Sequence, residues 1–259
     1  MSTSMRFSRK DVKWGFLSTF LNISAGIILL PLMLHFLPPA DVGLWIVFVT
    51  LANLARLIEP GLRQTLTRYT AYVFSGSDTL RQNGLDLVPD TAQMNVALLG
   101  DLLAAARYVY LWVGLAAAFA LLVVGTAFIM FVASPDQPPR YVFTAWISFA
   151  GGYVITLYYS YYSALLQGRG DITDANRIIV ISRTLFIVLG AALLLLGWGL
   201  VGVGLASLVA AVVDRLLTYR YFFADHRPET VHLRTRPGSH TEVLPKLWHN
   251  RLRLGLVHL

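Results

Sequence analysis

The chain has no cysteine among its 259 residues, and only 14% of its residues are charged. The absence of cysteine excludes disulfide bonds and thiolate metal sites. Soluble domains carry about 25% charged residues, so a charge content this low is atypical of them. Hydrophobic residues make up 56% of the sequence, against roughly 45–50% in soluble proteins. The composition therefore favours a membrane protein.

The apolar residues form uninterrupted blocks of the length that a helix needs to cross a bilayer, about twenty residues. They predict an all-α integral membrane protein, a bundle of six transmembrane helices. The predicted spans are 14–37, 43–74 with a bend near residue 60, 108–133, 141–166, 178–196 and 200–217. A basic amino terminus (1–13) precedes them, and a basic loop (218–246) and the truncated start of a seventh helix (247–259) follow.

Lysine and arginine are distributed unequally between the two sides of this topology. With the amino terminus inside, segments 1–13, 75–107, 168–177 and 218–259 carry four, two, two and seven of them, whereas the outer loops carry only Arg140. Short basic loops stay on the cytoplasmic side of a membrane. The sequence thus predicts that both termini are cytoplasmic, and that the net charge of +7 reflects loop position rather than nucleic-acid binding.

Four charged residues lie at membrane depth: Arg56, Glu59 and Arg63 in or beside the second span, and Arg183 inside the fifth. A charge near the bilayer centre costs at least about 2.5–3.5 kcal/mol, so such side chains face a cavity or a partner. One interpretation is snorkelling, in which the guanidinium reaches the inner headgroups. The other is a basic site that binds a phosphate-bearing headgroup through the planar donors of arginine.

Glu59 lies three residues after Arg56 and four before Arg63, a spacing that places all three on one helical face. Its simplest role is that of a counter-ion, and the alternative is a site that couples transport to protons or cations. Pro60 and Gly61 follow directly and predict a broken helix, as found at transporter sites, or an ordinary kink.

Other residues are weaker candidates. Asn22, Tyr158 and Tyr162 are candidates to line a cavity, although helix packing is the favoured role for Asn22 and an interfacial aromatic belt for the tyrosines. Gly202, Ala206 and Ala210 form a small-residue face that predicts close helix packing. The histidines form no metal-ligating pattern, and no catalytic constellation or cofactor motif stands out. We therefore expect neither an enzyme nor a cofactor.

Several segments resemble one family of membrane proteins. Leu30-Pro31-Leu32, Phe36-Leu37-Pro38 and Asp41-Val42-Gly43-Leu44-Trp45 resemble the opening of polysaccharide-biosynthesis flippases of the Wzx type, in the superfamily of multidrug, oligosaccharidyl-lipid and polysaccharide exporters. Glu59-Pro60-Gly61-Leu62 and Leu165-Leu166-Gln167-Gly168 resemble later parts of that pattern. Val42 and Pro38 depart from it, because the family usually has Tyr and Gly at these positions.

The resemblance implies a transporter of the bacterial cytoplasmic (inner) membrane that moves an isoprenoid-pyrophosphate-linked oligosaccharide between leaflets. Arg56, then Arg63 and Arg183, are the positions expected to contact the pyrophosphate. The implied partners are membrane lipid, the lipid-linked oligosaccharide, and a polysaccharide polymerase or glycosyltransferases. Such flippases have two lobes, and this chain corresponds to the amino-terminal lobe. An alternative is a non-transporting scaffold of a polysaccharide-assembly complex that binds enzymes through its basic loop.

Overall fold

The computed structural model describes residues 9–57, 59, 61–76, 95–133 and 138–223. Within these residues the chain forms eight helices and no strand. They are α1 (Arg9–Phe36), α2 (Pro39–Arg56), α3 (Leu62–Phe74), α4 (Val96–Ala133), α5 (Pro139–Tyr158), α6 (Ser160–Gly168), α7 (Ile172–Leu195) and α8 (Gly199–Phe222). Residues 1–8, Pro60, the loop beyond residue 223 and the predicted seventh helix lie outside the described residues.

Six helical segments are long and apolar enough to cross a membrane: α1, α2, α4, the α5–α6 pair, α7 and α8. The prediction of an all-α, six-span bundle is therefore confirmed, and the chain is a multi-pass helical membrane protein. Large apolar side chains cover its outside, and Phe16, Phe119 and Phe131 are 77%, 63% and 83% exposed. This inside-out pattern fits a molecule whose outer surface contacts lipid.

Several helices extend beyond the predicted spans. α4 begins at Val96 rather than 108, α7 at Ile172 rather than 178, and α8 continues to Phe222 rather than ending at 217. Asn95 caps α4, because its side chain accepts a hydrogen bond from the Leu98 amide at 3.0 Å. Hydropathy marks the apolar part of a helix, whereas capping and hydrogen bonding decide where the helix ends.

The predicted break near residue 60 separates α2 from α3. α2 ends at Arg56, and Gly61 precedes α3 with φ 76°, a left-handed conformation that glycine adopts without strain. A second break at Tyr159 divides the fourth span into α5 and α6. The two breaks bring Glu59 and Ser160 within hydrogen-bonding distance.

The bundle is organised around α8, which packs against α5 on one side and α7 on the other. α1 packs along α7, α4 along α5, and α3 against α6. Gly202, Ala206 and Ala210 of the predicted small-residue face are all buried in the bundle. A Cβ on Gly204 would lie 2.6 Å from the Ala145 carbonyl oxygen of α5, so α5 and α8 approach at backbone distance.

Where α2, α5 and α8 begin, a short hydrogen-bond chain joins them, which we name the Asp41–Tyr141 link. The Tyr141 hydroxyl donates to Asp41 Oδ2 at 2.7 Å and accepts from the Leu200 amide at 2.8 Å. Asp41 is only 3% exposed and lies in the first turn of α2, where the helix dipole stabilises a carboxylate. The link therefore fastens three helices at one end of the bundle.

Candidate functional site

Glu59 lies between α2 and α3 and is held by two hydroxyl groups from other helices. Its Oε1 accepts hydrogen bonds from the Tyr110 hydroxyl of α4 at 2.9 Å and from Ser160 Oγ of α6 at 2.7 Å. The predicted counter-ion role would place a guanidinium next to this carboxylate. The structure gives the carboxylate two hydroxyl donors and also an electrostatic interaction with Arg215, so the counter-ion role stays a prediction.

A second carboxylate lies on α8 beside an arginine. Arg215 Nε is 3.2 Å from Asp214 Oδ2, and Arg215 Nη1 donates to Ser163 Oγ at 2.9 Å. Asp214 Oδ1 accepts from Ser182 Oγ of α7 at 3.1 Å. The Arg215 side chain is 12% exposed and that of Asp214 19%. A charged pair from α8 is thus fixed between α6 and α7.

The two carboxylates and four arginines belong to one charged cluster: Arg56, Glu59, Arg63, Arg183, Asp214 and Arg215. Arg215 interacts electrostatically with Asp214, Arg63, Glu59 and Arg183. Arg183 interacts with Asp214 and with Arg56. The structure therefore brings together the three arginines and the glutamate that the sequence singled out, and it adds Asp214 and Arg215.

The cluster lies well inside the bundle along the helix axes. At 1.5 Å per residue, Arg183 is about 16 Å from the start of α7 and about 18 Å from its end. Arg215 is about 10 Å from the end of α8, which runs antiparallel to α7. Arg183 lies about 8 Å inside the predicted span that begins at residue 178, so snorkelling and a buried anion site both stay as interpretations of this residue.

Exposure divides the cluster into an inner and an outer part. Arg215 and Asp214 are largely buried, and Glu59 and Arg63 are half-buried. Arg56 and Arg183 are exposed, and so is Asn53, which precedes Arg56 by three residues on α2. The cluster therefore opens on one side of the bundle, and we name this opening the polar face, defined by Asn53, Arg56 and Arg183.

The cluster carries more positive than negative charge. Its four guanidinium groups face two carboxylates, and the Asp214 carboxylate already interacts with Arg215 and Arg183. In a region of low dielectric constant, this excess favours an anion. Guanidinium groups present parallel donors that match phosphate oxygens. The arrangement can thus bind a compact, multiply charged anion.

The remaining candidates lie in other surroundings. Asn22 is exposed on α1. Tyr158 lines an apolar groove of about 230 Å³ between α4 and α5. Tyr162 is buried, packs against Tyr219 and Phe222, and accepts a hydrogen bond from Arg107 at 3.3 Å. Pro60 lies outside the described residues.

Asp214 and Arg215 were not selected from the sequence, although the sequence contained a signal for both. Both residues fall inside the predicted sixth span, 200–217, and charge at membrane depth was the criterion that identified Arg183. The hydroxyl partners Tyr110, Ser160 and Ser182 offered no such signal, because serine and tyrosine are common in membrane helices. Among the described residues, no group of His, Asp and Glu is arranged to hold a metal ion.

The chain matches no protein-family model, and no curated protein or solved structure matches it either.

Proposed function

We propose that this chain is a lobe of a flippase that moves an isoprenoid-pyrophosphate-linked oligosaccharide across the cytoplasmic membrane for polysaccharide biosynthesis. The observation that supports this proposal is the charged cluster, in which four arginines share two carboxylates at membrane depth. Retaining uncompensated arginines there is costly, about 2.5–3.5 kcal/mol for each one near the bilayer centre. An anionic substrate provides the missing negative charge.

The pyrophosphate is the chemical group that fits this excess charge. Arg183 and Arg56 are exposed on the polar face and make the first contact with it. Arg215 and Arg63 lie deeper and add positive charge behind them. Glu59 lies beside the arginines and is held by hydroxyl groups of two other helices, so it is the group proposed to couple transport to a proton or cation.

The distribution of basic residues supports a direction of transport. The cluster lies toward the bundle end at which α8 finishes and α7 begins, and the segments at this end carry most of the lysine and arginine. By the positive-inside rule this end is cytoplasmic. The lipid-linked oligosaccharide then enters from the side on which glycosyltransferases assemble it. We propose transport, and no catalytic step.

Binding of inorganic pyrophosphate to the purified protein, together with glycan export in cells, tests this function. Arg183→Gln and Arg56→Ala each remove a charge-assisted contact of about 1.5–3 kcal/mol, so affinity should fall by roughly 10–100-fold. Arg177→Gln is the matched control, because Arg177 lies on the same helix but pairs with Asp174 at 3.4 Å. The pyrophosphate affinity of Arg177→Gln should stay within about twofold of that of the unmodified protein, since weak surface ion pairs contribute little.

Two results would contradict the proposal. Unchanged pyrophosphate affinity in both Arg183→Gln and Arg56→Ala would remove the binding role of the cluster. Normal glycan export by Arg56→Ala at normal protein level would remove its role in transport. If, instead, replacing residues 224–246 abolished recovery of biosynthetic enzymes while Arg56→Ala changed nothing, the chain would be a scaffold.

A further inference from the structure

α4 is longer than a helix needs to be to cross a membrane. Its 38 residues extend over about 57 Å, whereas the hydrocarbon layer is about 30 Å thick, so part of the helix projects beyond the hydrocarbon. Tyr108 and Trp112 mark this boundary, because they are 41% and 59% exposed and their rings meet edge to face. Leu111 and Leu115 on the same side are exposed as well. This side of α4 therefore has the features of a surface that meets lipid.

An apolar groove of about 230 Å³ lies on this side, between α4 and α5. On α4 it extends from Leu111 to Ala118, about 10 Å along the helix axis and within the predicted third span. Tyr158 and Tyr159 line it at the end of α5. The small residues Gly114 and Ala118 keep the groove open, because neither carries a side chain large enough to fill it. The groove thus offers space for a hydrocarbon chain at hydrocarbon depth.

Arg107 lies at the headgroup end of this groove. It precedes Leu111 by one helical turn, about 6 Å, and it is exposed. Its Nη2 donates to the Tyr162 hydroxyl at 3.3 Å, and the Tyr162 ring stacks with that of Tyr159, which lines the groove. In the part of the chain that the structure describes, Arg107 interacts with tyrosine hydroxyls and with no carboxylate. Its positive charge is therefore available to an anion.

We propose that the groove and Arg107 bind an anionic phospholipid, with one acyl chain in the groove and the phosphate on the Arg107 guanidinium. A molecule that joins an apolar chain to a phosphate fits, because the apolar and cationic parts of the site are one turn apart on the same side of α4. Guanidinium donors match phosphate oxygens, and basic sites between membrane helices are typical of anionic lipid binding.

The surroundings of the site favour a lipid over a protein as the occupant. Tyr108 and Trp112 beside Arg107 form an exposed pair of the kind that lies at the level of lipid headgroups. The site is also separate from the charged cluster, whose arginines lie on α2, α3, α7 and α8. The lipid is thus a ligand of the bundle surface, and its binding does not rest on the proposed transport function.

Native mass spectrometry of the full chain in a neutral detergent tests the proposal, with dioleoyl phosphatidylglycerol as the anionic probe and dioleoyl phosphatidylcholine as the zwitterionic one. Arg107→Gln should weaken phosphatidylglycerol binding about fivefold, the contribution of one arginine near anionic headgroups, and abolish the preference for this lipid. Arg140→Gln is the matched control, because Arg140 is also exposed but lies in the first turn of α5, at the opposite end of the bundle. Arg140→Gln should leave both affinities unchanged.

A second variant tests the groove without changing the charge. Ala118→Leu places a larger side chain in the space proposed for the acyl chain, so both lipids should lose affinity to the same extent while the preference for phosphatidylglycerol stays. Ala116→Leu is its control, because Ala116 is exposed on α4 and does not line the groove. Ala116→Leu should bind both lipids as the unmodified protein does.

Three results would overturn the proposal. The first is an unchanged preference for phosphatidylglycerol in Arg107→Gln. The second is loss of that preference in Arg56→Ala but not in Arg107→Gln, which would place the lipid at the charged cluster. The third is an equal loss of lipid binding in Ala118→Leu and Ala116→Leu, which would show that the chain does not lie in the groove. Arg107→Gln should keep its affinity for inorganic pyrophosphate, so failure of this proposal is distinguishable from failure of the proposed function.

Discussion

The balance of charge around buried polar groups differs between the two ends of the bundle. At one end, the Asp41–Tyr141 link balances a single carboxylate with a hydroxyl donor and the dipole at the start of α2, and it joins three helices. Toward the other end, the charged cluster leaves four arginines with two carboxylates. The first network has no excess of arginine, although Asp41 Oδ1 accepts no hydrogen bond from the described residues, whereas the second has an excess of positive charge.

This difference distinguishes polar groups that hold helices together from polar groups that form the candidate site. A carboxylate that is held by a hydroxyl donor and a helix dipole stabilises one arrangement of helices without a ligand. A network with unmatched charge is costly in the unbound protein and becomes favourable when a ligand or partner supplies the opposite sign. Charge balance, more than burial, therefore identifies the candidate site in this chain.

The largest effect is expected from Asp214→Ala, which removes one partner of the buried ion pair. Arg215 then keeps only the Ser163 hydroxyl as a hydrogen-bond acceptor, and the charge excess of the cluster rises. Breaking a buried pair in this way costs about 3–5 kcal/mol. Denaturant unfolding in micelles should show this loss. The double variant Asp214→Leu with Arg215→Met should recover much of it, and failure to recover would argue against the pair as the cause.

A smaller effect is expected from Tyr141→Phe, which retains the ring but removes the hydroxyl from the Asp41–Tyr141 link. Asp41 loses its hydrogen bond, as does the Leu200 amide, and a hydrogen bond to a charged group contributes about 1.5–3 kcal/mol. The free energy of unfolding should fall by that amount while pyrophosphate affinity stays unchanged. Tyr72→Phe is the control, because the Tyr72 ring packs beside Tyr69 on α3, and it should change neither quantity. A loss of pyrophosphate affinity in Tyr141→Phe would show that the Asp41–Tyr141 link and the charged cluster are coupled.

The smallest effect is expected from Tyr110→Phe. Glu59 keeps its hydrogen bond from Ser160 at 2.7 Å, so only one of two donors is lost. Side-chain hydrogen bonds between membrane helices contribute about 1 kcal/mol, and the unfolding free energy should fall by that much. The same variant should alter the pH dependence of transport if Glu59 couples it to protons. An unchanged pH profile of export would contradict the coupling role.

Part of the candidate site was predictable because charge in an apolar segment is visible in the sequence. Arg56, Glu59, Arg63 and Arg183 were found in this way, and Asp214 and Arg215 met the same criterion. The proximity of Arg56, Glu59 and Arg63 followed from their spacing, whereas the approach of Arg183, Asp214 and Arg215 to them depends on α8 packing between α5 and α7. Tyr158 and Tyr162 show the converse. The sequence offered Tyr162 as a cavity-lining residue or, preferably, as part of an interfacial aromatic belt, but it packs in the core of the bundle.

The sequence by itself determined the number of spans, because burying backbone polar groups in hydrocarbon permits only apolar helices of sufficient length. It also determined the break at residue 61, where glycine permits a left-handed backbone. Tertiary structure alone decided which charges share a site and which hydroxyl groups reach Glu59 and Asp214. Those contacts join residues as far apart as Glu59 and Ser160. They depend on helix packing, which local sequence patterns do not specify.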